Sequence, residues 1–153
     1  MQTSRLELTA PDREVWAALL AGDCDGAAPG YPAEADLVVA RLVVEGHWVV
    51  GEWGPWQIRE RRSGLLIGGV GFKGAPREVD GIVEIGYGLA ESARGQGFAT
   101  EAVQALTAYG LGRGAATVVA QTDAGNVASE RVLERCGFSL RERDTDSAWW
   151  ILE

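Results

Sequence analysis

The chain is poor in the residues that build metal centres and disulfide frameworks. Among 153 residues there are two cysteines, one histidine and one methionine. Cys24 and Cys136 lie far apart and match no metal-binding spacing, and His47 is alone, so no metal site is expected. Both cysteines read as reduced thiols, Cys136 at a buried helix end. No apolar run approaches the roughly 20 residues of a membrane span. The start, Met-Gln-Thr-Ser-Arg-Leu-Glu-Leu, lacks the apolar centre of a signal peptide, which makes the cytoplasm the expected location. Positive charge is scarce too: 14 Lys and Arg face 22 Asp and Glu, a formal net charge of −8. A nucleic-acid partner, which wants a basic surface, is not expected. The acidity suits a cationic acceptor, such as an amine or basic peptide, or serves only to keep the chain soluble.

What is present is one domain, 1–153, long enough for its own core. Residues 4–9 alternate as a strand, and Pro11-Asp12 opens a helix carrying Val15, Trp16, Leu19 and Leu20. After a Gly/Asp/Pro-rich loop, residues 32–45 give a second helix with Leu37, Val38, Arg41 and Leu42 in register. Residues 56–60 and 65–72 form a hairpin about Arg62-Ser63-Gly64, and Val83–Leu89 supplies a third strand. A helix over 97–111, a strand over 117–122, a helix capped by Asp123 or Asn126 and stopped at Gly137, and a closing antiparallel pair follow. Trp149 and Trp150 on the last strand face opposite sides, which leaves core packing and a homodimer contact as alternatives for them. The order βαα–βββ–αβ–αββ predicts an α/β (α+β) fold around a mixed, largely antiparallel sheet.

Two glycine-rich stretches compete as anion sites. Gly69-Val70-Gly71-Phe72-Lys73-Gly74 fits G-x-G-x-x-G, but turn residues follow where dinucleotide binding needs a helix, so small strand residues explain it better. Arg94-Gly95-Gln96-Gly97-Phe98-Ala99-Thr100 has the right context, with a strand before it and good helix formers after it. Such a turn aims backbone N–H groups at one point, at the positive end of a helix dipole, and Arg94 adds a fork of donors. Taken alone, the turn reads equally well as a plain strand-to-helix connection.

The next helix start, Asn126-Val127-Ala128-Ser129, carries the argument further. R-G-Q-G-F-A resembles the Q/R-x-x-G-x-G/A signature of the GNAT superfamily of acyl-CoA N-acyltransferases. N-x-x-S-x-x-V-L-x-x-x-G-F, residues 126–138, resembles that superfamily's following helix and strand. The lead-in over WQIRE, IGGVGFKG and GIVEIGYGL is similar to the RimJ/RimL-like branch. The resemblance is close over about residues 56–140 and extends to the first half only in element order.

It implies an acetyl-CoA-dependent N-acetyltransferase acting on a primary amine, a peptide N-terminus or a small amine. A non-catalytic acyl-CoA sensor on the same fold is the alternative. It implies splayed strands at Val83–Leu89, with Tyr87, Gly88, Leu89 and Ala90 pairing with pantetheine amides. Arg94, Gly95, Gln96, Gly97, Phe98, Ala99 and Thr100 would hold the pyrophosphate, and Asn126 and Ser129 would face the thioester end. Direct transfer needs a base, an oxyanion donor and help for the leaving thiolate. Glu84 is the expected base, directly or through water, in an apolar run where burial raises its pKa; a solvent-facing or paired carboxylate is the competing reading. A backbone N–H near Leu89 suits the oxyanion. Many relatives carry a tyrosine where this chain has Leu133, and the branch's serine falls on Ser129, which also suits plain helix-start chemistry. Trp48, Trp53 and Trp56 are candidates for an acceptor wall, with core packing the commoner fate of such rings, and His47 is a candidate at the acceptor cleft.

Overall fold

The computed structural model describes all 153 residues, Met1–Glu153. Its elements are β1 (Leu6–Thr9), α1 (Arg13–Leu20), α2 (Glu34–Val44), β2 (Pro55–Glu60), β3 (Leu66–Phe72), β4 (Ile82–Leu89), α3 (Phe98–Gly112), β5 (Thr117–Asp123), α4 (Val127–Arg135), β6 (Ser139–Arg143) and β7 (Ser147–Leu152). The expected order holds. A short 3-10 turn at Glu91–Ala93, which periodicity does not reveal, leads from β4 into the glycine turn.

The seven strands form one sheet in the order β1-β2-β3-β4-β5-β7-β6, antiparallel throughout except for the parallel pair β4–β5. Register carries the alternation across it. Phe72 lies opposite Ile85, Ile85 opposite Ala120, and Ala120 opposite Trp150, so one buried row crosses four strands. That face packs against α3, whose Phe98, Ala102, Val103, Leu106 and Gly110 recur at helical spacing and are buried. Gly110 is required there, because a Cβ would lie 2.8 Å from Cζ of Phe72. A second, smaller core of Trp16, Leu19, Tyr31, Ala40 and Val43 joins α1 and α2 to Leu66 and Ala90.

The Gly69–Gly74 pattern lies in β3 and the turn after it, with no helix starting there. Its glycines serve strand packing: a Cβ on Gly71 would come within 2.6 Å of Cα of Pro55. Trp150 is buried and its indole N–H donates to Thr122 Oγ1, which gives that ring to the core.

The pairing that matters for function is incomplete. β4 and β5 are in register only from Ile82–Thr117 to Ile85–Ala120. Beyond Ile85 the two parallel strands part, while β4 stays paired with β3 as far as Leu89 opposite Gly68. The splay expected at this strand is therefore present, and it opens the sheet beside Gly86–Leu89.

Candidate active site

Strand geometry decides which backbone groups face that opening. In an antiparallel ladder, alternate residues turn their N–H and C=O to alternate sides. Lys73 N–H bonds to Glu84 O, and Ala90 N–H bonds to Ile67 O. By the same alternation Gly86 and Gly88 bond towards β3, and Tyr87 and Leu89 turn their backbone groups into the gap. Two backbone positions thus offer an extended ligand the pairing that β5 gives up, and the Leu89 N–H is one of them. Ala90, expected to do the same, has its N–H committed to Ile67.

A cavity of about 560 Å³ opens from this gap. It is lined by Tyr87, Gly88, Leu89, Arg94, Gly95, Gly97, Phe98, Ala99, Thr100, Asn126 and Ser129, all expected from sequence, and also by Ala128, Arg131, Val132 and Arg135. Ala90 and Gln96 lie outside the lining. Gly95 and Gly97 have φ of 74° and 80°, the left-handed region that favours glycine. A Cβ on Gly95 would meet no protein atom within 4 Å, so it would project into space the turn leaves open. Gly97 occupies the N-cap position of α3 and has no side chain to satisfy the first N–H groups of the helix, which stay free for an anion. Arg94 donates through Nε to Leu89 O at 3.1 Å, tying the turn to the end of β4.

The turn is braced from β1. Arg5 donates through Nη1 to Gln96 O at 2.8 Å and through Nε to Glu101 at 2.7 Å, and its guanidinium lies 4.6 Å from the Phe98 ring centre. Burial works to raise the Glu101 carboxyl, but hydrogen bonds from Thr3 and Arg5 outweigh it and hold the group below the usual carboxylate range. A negative charge in the first turn of α3 is thereby paired rather than turned on an incoming anion.

At the other end of the cavity, Asn126 Oδ1 accepts Ser129 N–H at 3.2 Å and caps α4. Ser129 Oγ is left without a protein partner and half-buried in the lining. Tyr87 donates its hydroxyl to Ser129 O at 3.0 Å, bridging the splayed strand to α4, and burial pushes its phenol up to about 12. Leu133 is fully buried. Cys136 lies at the far end of α4 against Thr100 O, and burial raises its thiol to about 11, so it is a poor nucleophile.

A second cavity, about 520 Å³, lies between α1, α2 and the sheet. Its floor holds Gly69, Gly71 and Lys73 of β3 and its turn with Gly86 and Gly88 of β4, and its walls include Trp16, Val38, Val39 and Trp48. Tyr87 and Gly88 line both cavities, so the two meet at the splay.

Sequence reasoning placed the acceptor residues less well. Glu84 does not gain the buried apolar setting expected of it. Its side chain is 27% exposed and ion-paired with Lys73, and it lines neither cavity. It does share the β4 face of Gly86 and Gly88. Trp53 stacks at 4.8 Å on Phe72, and Trp56 borders the second cavity but packs edge-on against Tyr109 of α3. Trp53 therefore serves the α3 core, and Trp56 joins that core while also lining the second cavity. His47 is exposed beside Glu45 and outside both cavities. Trp48 does form part of the wall, its indole N–H donating to Phe72 O.

The model of the acetyltransferase (GNAT) domain matches residues 5–139. The chain belongs to the GNAT acetyltransferase family. It is 33% identical over 97 residues to the uncharacterized N-acetyltransferase YjdG of Bacillus subtilis (strain 168), a match covering 63% of this chain and 57% of that protein. The chain spans about half the length of the curated relatives it matches. The GNAT fold is seen again in the structure of RimL, a ribosomal L7/L12 alpha-N-protein acetyltransferase, in complex with coenzyme A. That likeness has a TM-score of 0.71 at 22% identity, over 98% of this chain and 94% of that one. A spermidine N-acetyltransferase, SpeG from Vibrio cholerae, superposes with a TM-score of 0.71 at 16% identity, over 98% of this chain and 94% of that one. GNAT neighbours thus include enzymes named for a protein acceptor and for a polyamine on one architecture.

Proposed function

We propose that this GNAT chain is an acetyl-CoA-dependent N-acetyltransferase that moves an acetyl group to a primary amine by direct attack. The observation that carries the reading is the meeting of two cavities at Tyr87 and Gly88, one with a backbone anion cradle and one with an apolar wall. The donor-side residues fit the cofactor: a glycine turn open to an anion, a backbone edge open to an extended amide chain, and three arginines, Arg94, Arg131 and Arg135, in one lining. Bound there, acetyl-CoA would supply a thioester whose acetyl group is exchanged for a proton of the amine.

The chain's own groups divide the remaining work. Tyr87 holds the pantetheine by its backbone, and the Leu89 N–H polarises the acetyl oxygen. N–H groups of the Gly95–Thr100 turn hold the pyrophosphate, and Arg131 and Arg135 supply further charge to the phosphates. Ser129 Oγ donates a hydrogen bond to the leaving sulfur, since a hydroxyl with a high pKa is a better donor than acid. Glu84 draws the amine's proton through water. Between it and the junction, β4 presents only Gly86 and Gly88 on that face, a trough of about 13 Å that water can fill.

The test is release of free thiol from acetyl-CoA over a panel of peptides and small amines, with acetyl-CoA affinity measured by calorimetry. Turnover with any amine is the expected result. Tight binding of acetyl-CoA with no turnover across the panel would make the chain an acyl-CoA sensor instead.

A further inference from the structure

The second cavity contains a carboxylate that the catalytic scheme leaves unused. Asp36, in the first turn of α2, is buried, with 9% of its surface exposed. Its Oδ2 accepts Ala33 N–H at 2.9 Å, which caps the helix. One oxygen suffices for that bond, and a carboxylate has about four lone-pair sites. Oδ1 makes no hydrogen bond in the protein and faces Gly69, where an added Cβ would stand 3.2 Å from it.

No cation of the protein answers this charge. Lys73 lines the same cavity, but its ammonium is paired with Glu84. Buried charges are ordinarily paired, so an unanswered carboxylate beside a cavity calls for a partner from outside. Position makes that partner relevant to acetyl transfer. Gly69 lies directly opposite Gly88, one strand spacing of about 5 Å away, so the residue that faces Asp36 adjoins the junction of the two cavities.

The walls restrict what carries the charge. Trp16, Trp48, Val38 and Val39 offer apolar and aromatic surface, which accepts a hydrocarbon body and tolerates a cation near a ring face. Glu34 at the exposed start of α2 strengthens the negative potential on the Asp36 side. At the opposite end, about 13 Å along β3 from Gly69, the Lys73 ammonium is already paired with Glu84, so no free carboxylate there answers a second positive charge.

We infer that Asp36 is the carboxylate that receives the acceptor's ammonium group, and that the acceptor is a monoamine carried on an apolar body. The inference rests on the acetyltransferase reading for its consequence, and on the cavity alone for binding. The experiment compares wild type with Asp36→Asn, which retains an oxygen for Ala33 N–H and nearly the same volume. Acceptors are phenethylamine, hexylamine, spermidine and a serine-initial tripeptide, and amine binding is also measured by calorimetry without acetyl-CoA. Loss of one charge-assisted contact should raise the KM for phenethylamine about 10-fold or more, with acetyl-CoA affinity unchanged. Wild-type kcat/KM for phenethylamine should exceed that for spermidine at least about 10-fold, since the polyamine's further charges would lie against the apolar walls. Gly69→Ala, whose Cβ would stand 3.2 Å from Oδ1 and fill the space before it, should raise the same KM while leaving the charge of Asp36 in place. Turnover with an acceptor KM unchanged in Asp36→Asn, or a preference for spermidine, overturns the inference and leaves acetyl transfer standing. Phenethylamine binding that Asp36→Asn abolishes, with no turnover in wild type, keeps the amine site and overturns the acetyltransferase reading. Absence of any amine binding or turnover removes the site.

Discussion

The cavity proposed for the donor draws its lining from two sequence windows, 87–100 and 126–135, whereas the one proposed for the acceptor collects its own from six segments between Trp16 and Gly88. The first is made largely of backbone: a splayed strand edge, two left-handed glycines and a helix start. The second is made largely of side chains on elements that meet only after folding. A backbone site tolerates sequence change as long as its glycines and its strand-turn-helix context persist. A side-chain site can be rebuilt residue by residue, which suits a part of the molecule that selects among acceptors. The same division agrees with structural neighbours named for a ribosomal protein and for spermidine on one GNAT architecture.

Substitutions can break this contrast, because donor-side changes should act on acetyl-CoA and acceptor-side changes on the amine. The largest effect is expected from Gly97→Asp. A side chain at φ 80° is strained, and a carboxylate at the mouth of the cradle repels phosphate. Acetyl-CoA affinity should fall more than about 100-fold by calorimetry, two charged contacts' worth; retained binding would place the pyrophosphate elsewhere. Ser129→Ala should lower kcat about 10- to 100-fold with little change in acetyl-CoA affinity, the range for one hydrogen bond to a group that becomes charged. Equal losses in kcat and affinity would make it a helix-start residue instead. Glu84→Gln should reduce kcat about 10-fold and alter the pH–rate profile. An unaltered profile would take Glu84 out of the reaction and leave it a partner of Lys73.

Smaller effects sharpen the comparison. Arg5→Ala removes the brace on Gln96 and uncovers Glu101 beneath the cradle, so acetyl-CoA should bind about 5-fold more weakly, a loss that grows at low salt. An affinity equal to wild type would show that the turn holds its shape unaided. The smallest effect concerns stability. Burial raises the Asp36 carboxyl above its ordinary value, so the folded state binds its proton more readily than the unfolded chain. Stability is then full at low pH and is lost as pH rises from the unfolded value through the folded one. Asp36→Asn should therefore melt slightly higher than wild type at pH 7, with the gap closing near pH 3. A gap that persists at pH 3 would assign the difference to something other than charge burial.

The legibility of the sequence follows the same line. The element order was readable because β4, α3 and α4 keep clean periodicity, and the cradle because its glycines are contiguous. Arg131 and Arg135 carry no motif, but they sit at helical spacing from Ala128, also in the lining, and only a projection of α4 onto one face brings the three together. The exposure of Glu84 is hidden in one dimension, where an alternating strand beside glycines looks apolar, and its cross-strand neighbour Lys73 is known only from register. The surroundings of Trp53 and Trp56 cannot be read from residue type: Trp53 precedes β2 and stacks on Phe72, while Trp56, on β2, both meets Tyr109 and borders the second cavity. Asp36 and Trp16 could not be joined from sequence at all: 20 positions separate them, and only the packing of α1 against α2 brings both over Gly69.

The parting of β4 from β5 has a consequence for how the protein persists. A sheet with an internal slit lacks part of its own backbone pairing, and a ligand that fills the slit supplies the missing strand. The donor is then also a folding ligand. At about 100 times its dissociation constant it would stabilise the native state by about 2.7 kcal/mol. Amide exchange at Tyr87 and Leu89 would slow with it, so the acetyl-CoA level would govern the enzyme's lifetime as well as its turnover.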